Sequence, residues 1–359
     1  MRPPSDRVLH LLWIASFVLI GLMISGSYFF GRTLVRNLRV FEQYAQRPVG
    51  SIISDARKGW EYKELPTKIS FLLVGLDEVP ERKLEQGLLT DALLFTRVNL
   101  EQNTVSILSI PRDLWIAEYK SKINSLYYYG IEQNLSPPTL YLESAVAKVT
   151  GYEIDYIVPV RLAEVATLVE ILGGLHIEVA RSFVDTRFPR ENVDVSVEKD
   201  PSLLYKTVQF DAGPQTMTAE DVLAYMRSRN SEDELEGNDQ ARSLRQKRVI
   251  ESLVIQLLDP STLKNPELLG RLYRFYDEKY RELIPLETLI AWGRSWLGFE
   301  HLAAPTLRTV TIPVRNGSVL ATPSGLLVNP PISIYNQWVY EPIDSSYQEL
   351  QEYIKSQMP

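Results

Sequence analysis

The chain has 359 residues, a formal net charge of −7, a 45% hydrophobic fraction and no cysteine. That length allows one large domain or two ordinary ones, and the apolar content excludes general disorder. The acidic balance argues against nucleic acid as a partner, since backbone phosphates need a basic face. The missing cysteines exclude disulfides, thiolate metal sites and cysteine nucleophiles. Histidine is scarce too: His10, His176 and His301 are the three present. A Ser-His-Asp triad or a two-histidine metal site has little to draw on, so a general base should be a carboxylate.

Residues 1–7 read as a short polar tail. Residues 8–30, Val8 to Phe30, are almost wholly apolar. About 20 such residues span a bilayer core, whereas a signal-peptide core has about 7–15. The run therefore reads as an uncleaved transmembrane anchor, with cleavage near Ser25-Gly26-Ser27 as the competing reading. Arg2 and Arg7 precede it; Arg32, Arg36 and Arg39 follow. Counting positive charges alone puts the C-terminal side in the cytoplasm. Residues 31–67 mix charges with Pro48, Gly50 and Gly59 and read as a juxtamembrane stalk, with helix around Leu34 to Ala45.

Residues 68–357 read as one domain. Ile69 to Gly75 (ISFLLVG) is a continuous apolar run, as expected of a strand covered on both faces. Asp91 opens a second such run, and Thr104 to Ile110 reads as the return strand of a hairpin. A helix is expected over Thr139 to Val149, closed by Gly151, then a strand at Tyr156 to Val160. A helix over Leu162 to Leu172 ends at Gly173-Gly174, and Leu175 to Val179 reads as a strand. Ala180 to Gly213 is polar and is read as an irregular flap. Thr218, with Asp221 three residues on, signals a helix start. Asp239 to Leu258 is the strongest helix signal; Asn265 to Glu282, Leu286 to Leu297 and Tyr347 to Ser356 read as further helices. Thr309 to Val314 and Ser318 to Leu327 suggest strands. Strands alternating with helices indicate an α/β fold, a three-layer helix–sheet–helix domain with a central mixed sheet, preceded by one N-terminal transmembrane helix.

Arginine is concentrated in short motifs. SIPRD (109–113) closes a buried strand. Pro111 ends the ladder, and Arg112 emerges at the strand's C-terminal end, where open α/β sheets place ligands. YMRSR (225–229) follows a helix. If the chain is extended after Tyr225, Arg227 and Arg229 share a side. In DQARSLRQ (239–246), Asp239, Arg242 and Gln246 project from one helical face, with Arg245 beside them. Taken singly, each motif also fits a solvated, ion-paired surface. Taken together, guanidinium forks in an acidic chain fit one phosphorylated ligand. Asp77 and Asp91, at neighbouring strand ends, could share Mg²⁺, which binds phosphate oxygens directly. Lys122 is a further candidate phosphate contact.

From about Lys68 to about Val314 the chain resembles the LytR-CpsA-Psr family of cell-wall ligases. The matching stretches are FLLVGLD (71–77), TDALLFTRVN (90–99), VSILSIPRD (105–113), KIN (122–124), EILGGLHIEV (170–179), YMRSRN (225–230) and DQARSLRQKRVI (239–250). The resemblance implies an extracytoplasmic phosphotransferase. It would move a glycopolymer-phosphate, such as teichoic acid, from a polyprenyl-pyrophosphate lipid to a peptidoglycan hydroxyl. It also implies a single-pass protein of the cell membrane, N-terminus cytoplasmic and domain extracellular, against the charge count. By motif, Asp77 and Asp91 would bind Mg²⁺, or Mn²⁺ in its place. Arg112, Arg227, Arg229, Arg242 and Gln246 would hold the pyrophosphate, with Lys122 and Arg245 as secondary contacts. Asp239 would orient the arginines or assist proton transfer. The chain departs from the family at Leu89 and Thr90, where an arginine and a serine are usual, and in an acidic insert holding Glu232, Asp233, Glu234 and Glu236. A non-catalytic polyprenyl-pyrophosphate-binding or regulatory membrane protein, and a hydrolase using water as acceptor, remain open readings.

Overall fold

A computed structural model describes residues 31–76, 90–190, 193, 200–299, 305–315 and 325–359, with the side chains of Asp91, Pro201, Asp239 and Gln240 left aside. The central sheet has five strands. They are β1 (Lys68–Leu76), β2 (Thr90–Asn99), β3 (Thr104–Ile110), β4 (Tyr156–Arg161) and, late in the chain, Thr306–Thr311, which becomes β9 below. The first three form an antiparallel meander; β4 lies parallel to β1 and the late strand parallel to β3. The sheet is mixed, as expected from the sequence. One row of apolar side chains crosses it: Ile157, Leu72, Phe95, Leu108 and Val310 are successive register partners.

Strand side chains alternate between faces, so Leu72, Val74 and Leu76 share a face and Phe71 takes the other. On the first face sit α3 (Leu140–Thr150) and the C-terminal helix Gln348–Gln357, contributing Leu142, Val146, Leu350 and Ile354 to one core. On the second, the Trp292 ring meets Phe71 and Tyr156 edge-on at 5.4 and 5.3 Å between centroids. Trp292 belongs to Leu286–Gly298. The double coverage explains why β1 reads as a continuous apolar run.

A second core lies beyond β4. It gathers α4 (Leu162–Leu172), β5 (Leu175–Val179), β6 (Phe183–Pro189), β7 (Tyr205–Phe210), β8 (Gly213–Met217), α5 (Ala219–Arg227) and α6 (Asp239–Leu257). Local signals set its boundaries. Gly173, at φ +76°, ends α4 in the left-handed conformation. Thr218 and Asp221 form a reciprocal capping box on α5, and the Asn238 side chain accepts from the Ala241 N–H to start α6. The expectation of an irregular flap over Ala180 to Gly213 is corrected: β6 and β7 pair as an antiparallel hairpin, with Phe183 opposite Phe210. Its inward residues, Phe183, Asp185, Phe188 and Phe210, are buried, while Thr186, Arg187 and Gln209 face out. A register shift between Asp185 and Phe188 breaks the alternation that would have marked a strand.

The stretch read as a stalk is helical and docked. Helix α1 covers 31–45 and α2 covers Val49–Trp60. They pack on α7 (Pro266–Lys279) and α8 (Leu286–Gly298). Glycines permit the close approach: a Cβ on Gly59 would lie 2.2 Å from the Glu287 carbonyl oxygen, and one on Gly270 2.7 Å from that of Phe41. Arg281 bridges Asp55 and Asp277, and Arg47 reaches Asp277 at 3.0 Å. Near the C-terminus β9 (Thr306–Thr311) is shorter than Thr309 to Val314 suggested in one direction and longer in the other, since Pro313 interrupts the ladder before Val314–Arg315. The second expected strand, Ser318 to Leu327, lies largely outside the described residues; Leu327–Val328 pairs with Val314–Arg315. α9 (Gln348–Gln357) closes the fold. Among the described residues no helix is long and apolar enough to cross a membrane, and the apolar run 8–30 lies outside them.

Leu108 is fully buried at the centre of the cross-sheet row. Leu108→Ala should cost about 2–5 kcal/mol through lost transfer energy and a residual cavity. Equilibrium denaturant unfolding checks this; a loss below about 1 kcal/mol would place Leu108 outside the tightly packed core.

Candidate active site

Helix α6 has an unusual inner face. Arg242, Arg245 and Gln246 are buried, and the same stripe continues as Val249 and Leu253. Spacings of three and four residues put them on one side. Leaving a charged fork in such a place is costly unless carbonyls and carboxylates meet it. Arg245 shows how this is done. Its Nε donates to the Tyr225 carbonyl at 3.0 Å, its Nη2 to the Ser228 carbonyl, and its Nη1 to the Glu236 carboxylate at 2.6 Å. The guanidinium also lies 4.7 Å from the Phe183 ring centroid. Burial pushes its pKa down and the Glu236 carboxylate opposes that shift. Arg245, read as a secondary pyrophosphate contact, instead joins α6 to the end of α5.

Gln246 makes a parallel connection, its amide nitrogen reaching the Met226 carbonyl at 3.4 Å. Arg227, the last residue of α5, is half-buried, with its guanidinium 5.5 Å from the Phe188 ring centroid. Ser228 leaves the helix in an extended conformation, φ −57°, ψ 135°, and Arg229 is exposed. The motif is therefore helical through Arg227 and extended after it. Asp185, on the β6–β7 hairpin, is fully buried and receives the Ser228 hydroxyl and the Arg229 and Asn230 N–H groups. No sequence motif pointed to Asp185.

Arg112 follows β3, at the sheet edge where it was expected. Its Nε lies 3.6 Å from the Asp113 carboxylate, whose other oxygen accepts from Lys122 Nζ at 2.7 Å. Lys122 thus lies beside Arg112 through a shared aspartate. Arg112 and Gln246 line one cleft of about 180 Å³, together with Lys247 and the apolar Leu93, Ile110 and Ile312. Trp338 and Tyr340 complete its wall. They are carried there because the Tyr340 N–H donates to the Asp113 carbonyl and the Trp115 N–H to the Tyr340 carbonyl. Burial pushes the Lys247 ammonium below its ordinary pKa, with Glu251 opposing. Sequence reading missed Lys247, Trp338 and Tyr340. Lys247 adjoins Gln246 in the motif, but the aromatic pair stands more than two hundred residues after Arg112, and only the fold joins them. Tyr127 and Tyr129 pack on the first core and take no part in the cleft wall.

Asp77 lies outside the described residues, and the Asp239 and Asp91 side chains are not described; Asp239 opens α6. The Asp91 backbone is informative. Gly75 pairs with Ala92 and Leu76 with Thr90, so the register skips Asp91. Such a bulge re-aims the chain beside many functional sites. Among the described residues no group of three or more His, Cys, Asp or Glu side chains could hold a metal.

A family model described as the LytR_cpsA_psr family matches residues 50–320. The chain belongs to this family. Among curated relatives, it is 26% identical over 253 residues to the cell wall biosynthesis protein LcpA of Corynebacterium glutamicum, a match covering 63% of this chain but 43% of that protein. It is 24% identical over 251 residues to TagU of Bacillus cereus, named a polyisoprenyl-teichoic acid–peptidoglycan teichoic acid transferase, covering 68% and 70% of the two chains. Among solved structures, the crystal structure of TagV of B. subtilis gives a TM-score of 0.52 at 19% identity, covering 81% of this chain and 97% of the other. That likeness concerns the fold. The expected family resemblance is borne out over the span that holds all the arginine motifs.

Arg245→Met should destabilise the protein by about 3–5 kcal/mol, because it leaves the Glu236 carboxylate and two carbonyls without their donor. Urea unfolding measures it. A neutral effect would mean the guanidinium contributes no net stability where it lies.

Proposed function

We propose that the protein is an extracytoplasmic phosphotransferase that moves a glycopolymer-phosphate from a polyprenyl-pyrophosphate lipid to a peptidoglycan hydroxyl. One observation carries the reading: Arg112 and Gln246, from motifs far apart in sequence, line a single cleft whose remaining wall is largely apolar. A prenyl diphosphate has the matching make-up, an apolar tail and an anionic head. Family membership supports the same reading, as do relatives named for cell wall biosynthesis and for transfer of teichoic acid to peptidoglycan.

In the reaction, the acceptor oxygen bonds to the phosphorus that bears the polymer. The bond from that phosphorus to the bridging oxygen breaks, and its electron pair leaves with polyprenyl phosphate. The acceptor proton passes to a carboxylate base, a role we assign to Asp239. Arg112, Arg227, Arg229 and Arg242 hold the diphosphate and neutralise the charge that grows on its oxygens; Gln246 adds a neutral contact. Lys122, tied to Asp113, and Lys247, half-buried in the cleft, raise the positive potential there. Arg245 holds the frame rather than the ligand. Asp77 and Asp91 would carry Mg²⁺ or Mn²⁺, which supplies charge neutralisation at phosphoryl oxygens. We further propose that residues 8–30 anchor the protein in the cell membrane as a single pass, N-terminus inside, so that the domain meets peptidoglycan outside.

Purified full-length protein, a polyprenyl-pyrophosphate-linked glycan, peptidoglycan and Mg²⁺ provide the test. Attachment of the glycan to peptidoglycan with release of polyprenyl phosphate is expected. Glycan-phosphate released into solution without attachment would identify a hydrolase instead. Arg112→Ala should lower kcat/KM by about 10²–10³-fold, the scale of losing one charge-stabilising donor; a loss under threefold would remove Arg112 from the machinery.

Asp91→Ala and chelation of divalent ions should each abolish transfer while lipid binding persists. Binding without turnover in the wild-type protein, with ions present, would favour a non-catalytic lipid-binding role.

A further inference from the structure

The hairpin that replaces the expected flap presents one buried charge to the arginine segment. Asp185 is 0% exposed. One of its oxygens, Oδ2, receives the Ser228 hydroxyl at 2.7 Å and the consecutive Arg229 and Asn230 N–H groups at 3.1 Å each. The other, Oδ1, receives the Arg187 N–H at 2.9 Å. Burying a carboxylate costs several kcal/mol unless its lone pairs are met, and four donors meet them here. Two consecutive amides can aim at one oxygen in few backbone conformations, so the carboxylate selects the path of the chain at Ser228–Asn230.

The same segment is gripped from the opposite polarity. Arg245 takes the carbonyls of Tyr225 and Ser228. Residues 225–230 therefore have N–H groups committed to a buried anion and carbonyls committed to a buried cation. Neither charge can turn away without leaving a buried group unmet. The two arginines that flank Ser228 are two of the four assigned to the diphosphate. Arg229 is exposed, so packing does little to fix its side chain; what is fixed is its backbone. Arg227 lies over Phe188, which belongs to the same hairpin as Asp185.

We propose that Asp185 is a positioning residue, which acts through the backbone of Ser228–Asn230 to hold Arg229 where it meets an anionic diphosphate head. The proposal rests on the diphosphate reading given above. A merely structural aspartate would lower stability and leave the arginines' contribution independent of it. A positioning aspartate loses its effect once its arginine is gone.

The test uses full-length protein, a short-chain polyprenyl pyrophosphate as probe, and the variants Asp185→Asn, Arg229→Ala, the pair together, and the milder Ser228→Ala. Asp185→Asn keeps the shape of the side chain and removes its charge. It is expected to weaken probe binding about tenfold, Ser228→Ala about threefold, and Asp185→Asn in the Arg229→Ala background less than twofold. Amide hydrogen exchange at Arg229 and Asn230 should rise at least about tenfold in Asp185→Asn, with the middle of α6 unchanged. Effects that multiply in the double variant, or unchanged binding and exchange in Asp185→Asn, would overturn the proposal. If Asp185→Asn does not fold, Ser228→Ala with Arg229→Ala decides by the same criterion of non-additivity. If the wild-type protein binds no probe, the diphosphate reading fails, and the exchange measurement still judges the clamp.

Discussion

Burying guanidinium groups along one helix is the constraint around which the second half of the molecule is arranged. The first turns of α6 turn Arg242, Arg245 and Gln246 inward, where aliphatic side chains would have packed at no electrostatic cost. Each polar group then demands a partner that cannot be water. Arg245 finds three in the end of α5 and in Glu236, and Gln246 finds a fourth in Met226. These bonds fix the angle and height at which α5 meets α6. The aliphatic continuation of the stripe, Val249 and Leu253, seals the same contact below. The polar half is therefore not an alternative to the core but its upper layer, and the cleft opens beside it.

The sheet contributes by delivering Arg112 to that place. β3 is a core strand through Ile110; Pro111 then ends its ladder, and the next side chain is Arg112. The chain beyond turns back so that Asp113 serves both Arg112 and Lys122. A late segment, Trp338 to Tyr340, adds to the edge through backbone bonds to Asp113 and Trp115. The apolar wall and the cationic rim thus come from different levels of the sequence. The rim is written in compact motifs, whereas the wall is assembled from strand ends and a segment near the C-terminus. The lipid with an anionic head proposed as the ligand would be recognised by both at once, and each alone would be unselective.

That division explains what could be read from the residues. Leu162 to Leu172 and Leu175 to Val179 were legible to the residue, because a strong apolar period ended at glycines, which adopt positive φ without a steric penalty. The continuous run at Ile69 to Gly75 announced a doubly covered strand, and Arg112 at the end of β3 followed from Pro111. The hairpin β6–β7 was not legible. Its alternation is broken by a register shift, and its outward residues are polar, so composition suggested loop. Asp185 was hidden for the same reason. Its partners are peptide N–H groups and a hydroxyl, which leave no trace in a pattern of charged residues. Helices α1 and α2 looked like a linker because their docking depends on Gly59 and Gly270 permitting contact with distant backbone, a matter of tertiary packing. Arg245 was correctly singled out and given the wrong neighbour: spacing puts it on the inner face, but only the fold shows that carbonyls occupy its forks.

By composition alone, the acidic insert after the second arginine motif opposes binding of an anion. Its geometry removes most of that conflict. Asp233 is paired with Arg181 at 2.6 Å, and Glu236 with Arg245 at the same distance. Glu232 and Glu234 are exposed. Exposed charges act weakly beyond a Debye length of about 8 Å at physiological salt, while those in a cleft of low dielectric act strongly. The insert also has a positive use. By meeting Arg245, Glu236 offsets the cost of burying a cation that no ligand touches, and so leaves the α5–α6 frame standing whether or not the cleft is filled. A site whose frame depended on its own substrate for neutralisation would have to reassemble at every turnover. Here the charge that holds the frame, Arg245, and one of the charges proposed to hold the ligand, Arg242, are separate groups on one helical face, about one turn apart.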